Sequence, residues 1–268
     1  MRFLRLAICL LVSCVLLVAC NKDNDSGGNS GNENENGKTN TMINRVFVGK
    51  KPLSAGDIKS IELDKEGRAS LMKLENKEMV KFDYSKKNVV LMNVYDDGSL
   101  EYALEMTIGK NGFVESVVEQ DDGETKYWRF KYNSDGQLCY MWRSESERET
   151  NITYKNGDIV KVQTIDTDET EGERWEHITA INYTSKEYAN SIENKGCVLL
   201  FDDAFDIDMD EMCYAYYAGL LGKSTKHLPL ENDDISYNII YPICWTLDSD
   251  GYPISVNVYS DDIMFKWL

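Results

Sequence analysis

The chain has 268 residues, of which 46 are acidic and 29 basic, and its formal charge at neutral pH is -17. So acidic a surface repels phosphate backbones and anionic headgroups, which argues against nucleic acid as a partner and against electrostatic adhesion to a membrane. With 42% hydrophobic and 11% aromatic residues the chain can still bury a core, and its length suits one β domain behind a short leader.

The leader comes first. Arg2 and Arg5 precede an apolar run from Leu6 to Val18, and Leu17-Val18-Ala19-Cys20 fits the pattern in which a small residue precedes a lipidated cysteine. Residues 1–19 are therefore expected to be a signal peptide that is removed. The mature chain would start at Cys20, two charges more negative for the loss of Arg2 and Arg5. The apolar run is too short for a spanning helix. Several acyl chains, each at about 0.8 kcal/mol per buried CH₂, hold far better than one, so the bilayer is the expected partner of Cys20.

Residues 20–41 form the lipidated cysteine and a tether. NKDNDSGGNSGNENENGKTNT has no apolar side chain to bury and reads as disordered, with a reach on the order of 25 Å. Lys22-Asp23-Asn24-Asp25 resembles the surface-export signals of Bacteroidetes lipoproteins, which implies an outer-membrane position facing the exterior.

Residues 42–268 read as a single β-rich domain. Asp97-Gly98, Asn111-Gly112, Asp122-Gly123, Asp135-Gly136, Asn156-Gly157 and Asp250-Gly251 are hairpin markers, since a two-residue type I′ turn needs positive φ at both central positions. Between them the chain alternates: Leu100, Tyr102, Leu104, Met106 and Ile108 on one face, Glu101, Ala103, Glu105 and Thr107 on the other. Trp128, Phe130 and Tyr132, then Leu138, Tyr140 and Trp142, predict two facing aromatic rows. Further strands are expected at Val89–Tyr95, Ile152–Tyr154, Ile159–Ile165, Glu176–Tyr183, Val198–Phe201, Ile254–Tyr259 and Ile263–Leu268. The expected fold is mainly β: an antiparallel meander of successive hairpins, twisted and able to curl into an open or partly closed barrel.

One segment breaks the period. Met209, Met212, Cys213, Tyr216, Tyr217 and Leu220 recur at helical spacing, with Asp206 or Asp208 to cap the start and Gly222 to end it, which predicts an α-helix near 208–221 packed on a sheet face. Ala218-Gly-Leu-Leu-Gly-Lys-Ser-Thr-Lys-His-Leu-Pro229, with the meander before it and the Trp245–Val258 hairpin after it, resembles an uncharacterised Bacteroidetes lipoprotein family. The likeness covers most of Ile43–Leu268. It implies an antiparallel, barrel-like β fold and no assigned activity or functional residue.

Candidate chemistry is sparse. Cys139, Cys197, Cys213 and Cys244 lack the paired spacing of a zinc site, which leaves buried free thiols or one of three disulfide pairings. Asp206, Asp208 and Asp210 match the first three ligand positions of a calcium loop, but Glu211 stands where its glycine should be and Tyr217 where its glutamate should be; a weak divalent site is the most they offer, and no other cofactor is expected. Asp166–Glu173 reads as an acidic loop. GKST at Gly222–Thr225 follows a helix instead of preceding one and lacks the first glycine of a phosphate loop. His177 and His227 sit in no catalytic or metal motif. Trp128, Trp142, Trp175 and Trp245 could stack on sugars if exposed, although aromatic residues are favoured in strands anyway.

The expected function is thus a lipid-anchored, non-catalytic binding or scaffolding module at the cell surface, with a glycan or a protein as partner. A half-barrel carrier of lipid or another apolar ligand and a carboxylate-dependent glycan hydrolase are the alternatives.

Overall fold

The computed structural model describes residues 46–268 apart from 48, 122, 168–172, 187, 259 and 260. The expected signal peptide, Cys20 and the tether lie outside the described residues, as does most of the acidic loop.

The meander is there, and it is longer than the sequence suggested. Strands β1 (Pro52–Ala55), β2 (Ser60–Leu63), β3 (Ala69–Lys73), β4 (Met79–Asp83), β5 (Val89–Asp96), β6 (Ser99–Ile108), β7 (Val114–Asp121), β8 (Glu124–Tyr132), β9 (Leu138–Arg143), β10 (Glu149–Lys155), β11 (Asp158–Thr167) and β12 (Arg174–Asn182) follow one another by hairpins. An insert follows, bounded by the short pair β13 (Ile192–Glu193) and β14 (His227–Leu228). The chain ends with β15 (Glu231–Asp234), β16 (Ile239–Pro242), β17 (Cys244–Leu247), β18 (Pro253–Val258) and β19 (Asp261–Trp267).

β2 to β12 with β15 and β16 make one 13-stranded antiparallel sheet, and β17, β18, β19 and β1 make a second of four strands. The two are arcs of one wall. β16 runs into β17 through the buried Ile243, and β1 turns directly into β2, joined only by an Ala55–Ile58 bridge. Hydrogen bonding therefore does not close a barrel.

Alternation gives that wall its two faces. Val90, Met92, Val94, Leu104, Met106, Val117, Trp128, Phe130, Ile152 and Val162 are all buried. Lys81, Asp83, Glu105, Arg129, Lys131 and Thr153 between them or beside them are exposed. The turns refine the expectation. Asp97-Gly98 and Asn156-Gly157 have positive φ at both residues, as type I′ requires, whereas at Asn111-Gly112, Asp135-Gly136 and Asp250-Gly251 only the glycine does. There an upstream Asn or Asp side chain organises a longer turn: Asn133 accepts from the amides of Asp135 and Gln137, and Asp248 from those of Asp250 and Tyr252.

One bulge overturns the facing aromatic rows. Tyr132 pairs with Leu138 but Lys131 with Tyr140, so Cys139 is an extra residue that changes the parity of β9. Met141 and Arg143 then face inward, while Tyr140 and Trp142 lie outside under Lys131 and Arg129, with cation-to-ring distances of 4.4 and 4.8 Å.

The insert fills the space that the wall encloses. Val198–Phe201, expected as a strand, instead leads into a π-helical turn at Phe201–Phe205, and the α-helix α1 spans only Met212–Tyr217. Asp206 and Asp210 adopt left-handed φ and so cannot extend the helix backward. Gly219, not Gly222, ends it: the Gly219 amide donates to the Tyr216 carbonyl and the Leu220 amide to Ala215, a Schellman closure. Phe205, Ile207, Met212, Tyr216, Leu220 and Leu221 are at most 1% exposed. Contacts reach strands all round the wall. The Val114 amide donates to Leu220, Lys223 to Gly136, Lys226 to Gly157, and the Asn232 amide group to Ala204, while Trp267 packs against Gly196.

Candidate functional site

The insert is tied down at both ends of the enclosed space, and the tie at one end concentrates the charged side chains. There the inward faces of β7 to β12 carry Glu119, Lys126, Arg143, Asp166, His177 and Thr179 instead of aliphatics. They meet the loop 206–211, where the left-handed turns at Asp206 and Asp210 aim the acids sideways.

One histidine and two arginines take up the three aspartates. Asp206 receives His177 Nε2 at 2.7 Å and the Thr179 hydroxyl at 3.3 Å. Asp208 pairs with Arg148, which also holds Asp166 at 2.6 Å, and lies 3.7 Å from Arg143. Asp210 pairs with Arg143, whose guanidinium also meets Glu145 at 3.0 Å and lies 5.4 Å from the Trp128 ring centroid. The spacing that suggested a divalent site thus serves ion pairs, and no group of three acids, histidines or cysteines with metal-binding geometry occurs among the described residues.

Burial shifts two acids of this cluster. Glu119, only 3% exposed, accepts from the Trp128 indole at 2.6 Å; burial raises its pKa, opposed by that hydrogen bond and by Lys126. Glu211, at the start of α1, is pushed up to about 7, first by burial and then by the charges of Asp210 and Glu119. A carboxylate-dependent hydrolase would need such a raised carboxyl to be open to substrate. Glu119 is closed off, however, tied to Trp128 and lying 4.0 Å from Lys126.

At the opposite end the segment GKSTKH locks onto two turns. Gln137 donates to the carbonyls of Gly157 and Ser224, and Asp158 holds His227 through both its ring Nδ1 (2.7 Å) and its amide (2.8 Å). Neither imidazole ring has a Ser, Thr or Cys side chain as a hydrogen-bond partner among the described residues. Both act as fasteners for the insert.

The tryptophans do not form one platform. Trp128 is 2% exposed and belongs to the core, which removes it from the stacking candidates. Trp142 lies under Arg129, Trp245 is half-buried with its indole donating to the Pro229 carbonyl, and Trp175 is 49% exposed. No disulfide joins any of Cys139, Cys197, Cys213 and Cys244 to another described residue. Tyr216 and Leu220, which would line the cavity of a carrier, are packed shut at 1% and 0% exposure. A surface hollow of about 510 Å³ lies between β2, β3, β4 and the β5–β6 turn. Its lysines, Lys59, Lys73 and Lys77, are each paired with an acid, at 3.5, 2.7 and 3.1 Å.

The sequence reading missed the hairpin of β15 and β16, which carries Ile235, Tyr237, Ile239 and Ile240 at 53%, 71%, 43% and 59% exposure. Asn238, with φ of 57°, and the β-branched pair after it were the available signals.

Residues 56–255 match the family described as a domain of unknown function (DUF4595) with porin-like fold. The chain belongs to that family. A solved structure, a porin-like protein from Bacteroides uniformis ATCC 8492, superposes with a TM-score of 0.60 at 16% identity, covering 78% of this chain and 89% of that one. No curated protein sequence matches. The DUF4595 match agrees with the β fold without assigned activity that the GLLGKSTKHLP resemblance implied. At this identity the neighbour speaks to fold alone.

Proposed function

We propose that the mature chain is a lipid-anchored, surface-facing module that binds or scaffolds, and that its porin-like wall is no conduit. The observation that carries this reading is the polarity of the wall. Away from its charged end its enclosed face is apolar and packed with the chain's own insert, and its outer face bears Lys81, Glu105, Arg129 and Lys131. A transmembrane barrel has the reverse arrangement, an apolar band outside and a polar lumen. Among the described residues no helix is long and apolar enough to cross a membrane, so attachment falls to Cys20.

Fractionation and planar-bilayer recording test it together. The wild-type chain should sediment with membranes, Cys20→Ala should become soluble with an unchanged thermal melt, and neither should give stepwise conductance. Digestion by an impermeant protease on intact cells should report surface display. Membrane retention of Cys20→Ala, or discrete conductance steps, would overturn the reading.

A further inference from the structure

We infer that the open edge of β16, with the hairpin it closes, is a docking surface for a basic, extended segment of a partner protein, which adds to the sheet as a strand. β16 ends the 13-stranded sheet: it pairs with β15 and has no strand partner on its other side among the described residues. Such edges are usually blunted by lysines, bulges or cover. This one instead exposes Ile239 and Ile240, with Ile235 and Tyr237 in the adjoining turn. Successive side chains point to opposite faces, so Ile239 and Ile240 flank the edge on both sides and would grip an added strand between them. The four side chains expose on the order of 400 Å² of mainly apolar surface, the scale of functional patches on monomers.

Charge selects the occupant. The register sets Asp233 opposite Ile240, Asp234 opposite Ile239 and Glu231 opposite Pro242. From residue 227 to 265 the chain has no Lys or Arg. A second copy would bring these acids against themselves, anionic headgroups would be repelled, and Asn21–Thr41 has no apolar side chain to set between the isoleucines. A segment alternating apolar and basic residues satisfies both features. Backbone pairing supplies affinity, the isoleucines select its apolar side chains, and the acids steer its approach.

This proposal rests on the binding-module reading, and its failure would leave the fractionation and conductance results of that reading untouched. The test uses the mature chain in zwitterionic detergent and labelled peptides followed by fluorescence anisotropy. The probes are an alternating Lys–Val peptide, its Glu–Val counterpart, and the Lys–Val peptide N-methylated at every second residue in each of the two phases. Only the Lys–Val peptide should bind, more weakly as salt rises. N-methylation in one phase should abolish binding, because it removes the amides that pair with β16. Ile240→Asn should weaken binding at least tenfold with an unchanged thermal melt, and the remote Glu62→Gln should change it less than twofold. Absence of binding, equal binding of the Glu–Val peptide, indifference to N-methylation in both phases, or full affinity in Ile240→Asn would each overturn the proposal. So would self-association of the chain that Ile240→Asn removes.

Discussion

Replacing Arg143 with Met should cost about 2 kcal/mol of folding stability, a figure that follows from how deeply each partner is buried. The Arg143 side chain is 10% exposed, while Glu145, Asp208 and Asp210 are 40%, 31% and 42% exposed. Breaking a fully buried pair costs about 3–5 kcal/mol and an exposed one under about 1, so this half-screened cluster belongs between them. The lost cation over Trp128 adds roughly 0.5 kcal/mol. Methionine restores the packing of the stem, and removing the guanidinium also removes its buried, unpartnered Nε, which offsets about 1 kcal/mol. Urea unfolding followed by tryptophan fluorescence reads the change. A double-mutant cycle with Asp210→Asn should return a coupling of about 1–2 kcal/mol, smaller at high salt. If Arg143→Met unfolds within about 0.5 kcal/mol of wild type, the usual scatter of surface substitutions, the ion pairs do not fasten the insert.

Three further outcomes follow from single residues. Folding raises the Glu211 carboxyl from 4.5 to about 7, so the folded state holds an extra proton between those values and stability falls as pH rises through them. Glu211→Gln should therefore gain about 1–2 kcal/mol at pH 8, after allowance for partial exposure, and nothing below pH 4.5; parallel stability curves for variant and wild type would refute this. Gly222→Ala should lose more stability than Gly98→Ala although both have left-handed φ, since a Cβ at Gly222 would lie 2.7 Å from the Gly136 carbonyl oxygen and one at Gly98 meets nothing within 4 Å; equal losses in denaturant midpoint would refute the lock. Trp128→Phe should cost about 2 kcal/mol in the same titration by stranding the buried Glu119, while Trp175→Ala should cost little; the reverse order would return Trp128 to the surface.

What could be read from the sequence was whatever is local. Alternation across β6 and the Asn-Gly and Asp-Gly pairs depend on residues two to four apart, and they placed the meander correctly. The parity of β9 hangs on one extra residue, Cys139, and no periodicity marks which residue of a strand will bulge. Helical spacing from Met209 to Leu220 says nothing of the left-handed turns at Asp206 and Asp210, which are held by His177 and Arg143 from strands far off in sequence. The same limit hid the charged end of the enclosed space, whose members span Glu119 to Glu211. The β15–β16 hairpin was missed because Glu231-Asn-Asp-Asp234 shows no apolar alternation, and its pairing with β12 is what makes it a strand.

The porin-like description concerns shape, and shape leaves the surrounding medium open. In a curled meander each strand has two faces, and a shift of one residue exchanges them. Along β8 the order is Trp128 inside, Arg129 outside, Phe130 inside and Lys131 outside. Placing that outer face in lipid would cost about 2–4 kcal/mol for each Arg or Lys near the midplane. Arg129, Lys131 and Lys81 alone would then cost about 6–12 kcal/mol, a sum comparable with the roughly 5–15 kcal/mol by which a typical domain is stable. The enclosed face poses the opposite problem, since Trp128, Phe130, Met106 and Met92 would line a channel with hydrocarbon. The insert removes it by covering those side chains with Phe205, Met212 and Tyr216 and by fastening its own polar backbone to the wall's turns. On the reading proposed above a wall built this way stands in water, and the charged rim, the GKSTKH lock and the open edge of β16 would distinguish this chain from a pore of similar outline.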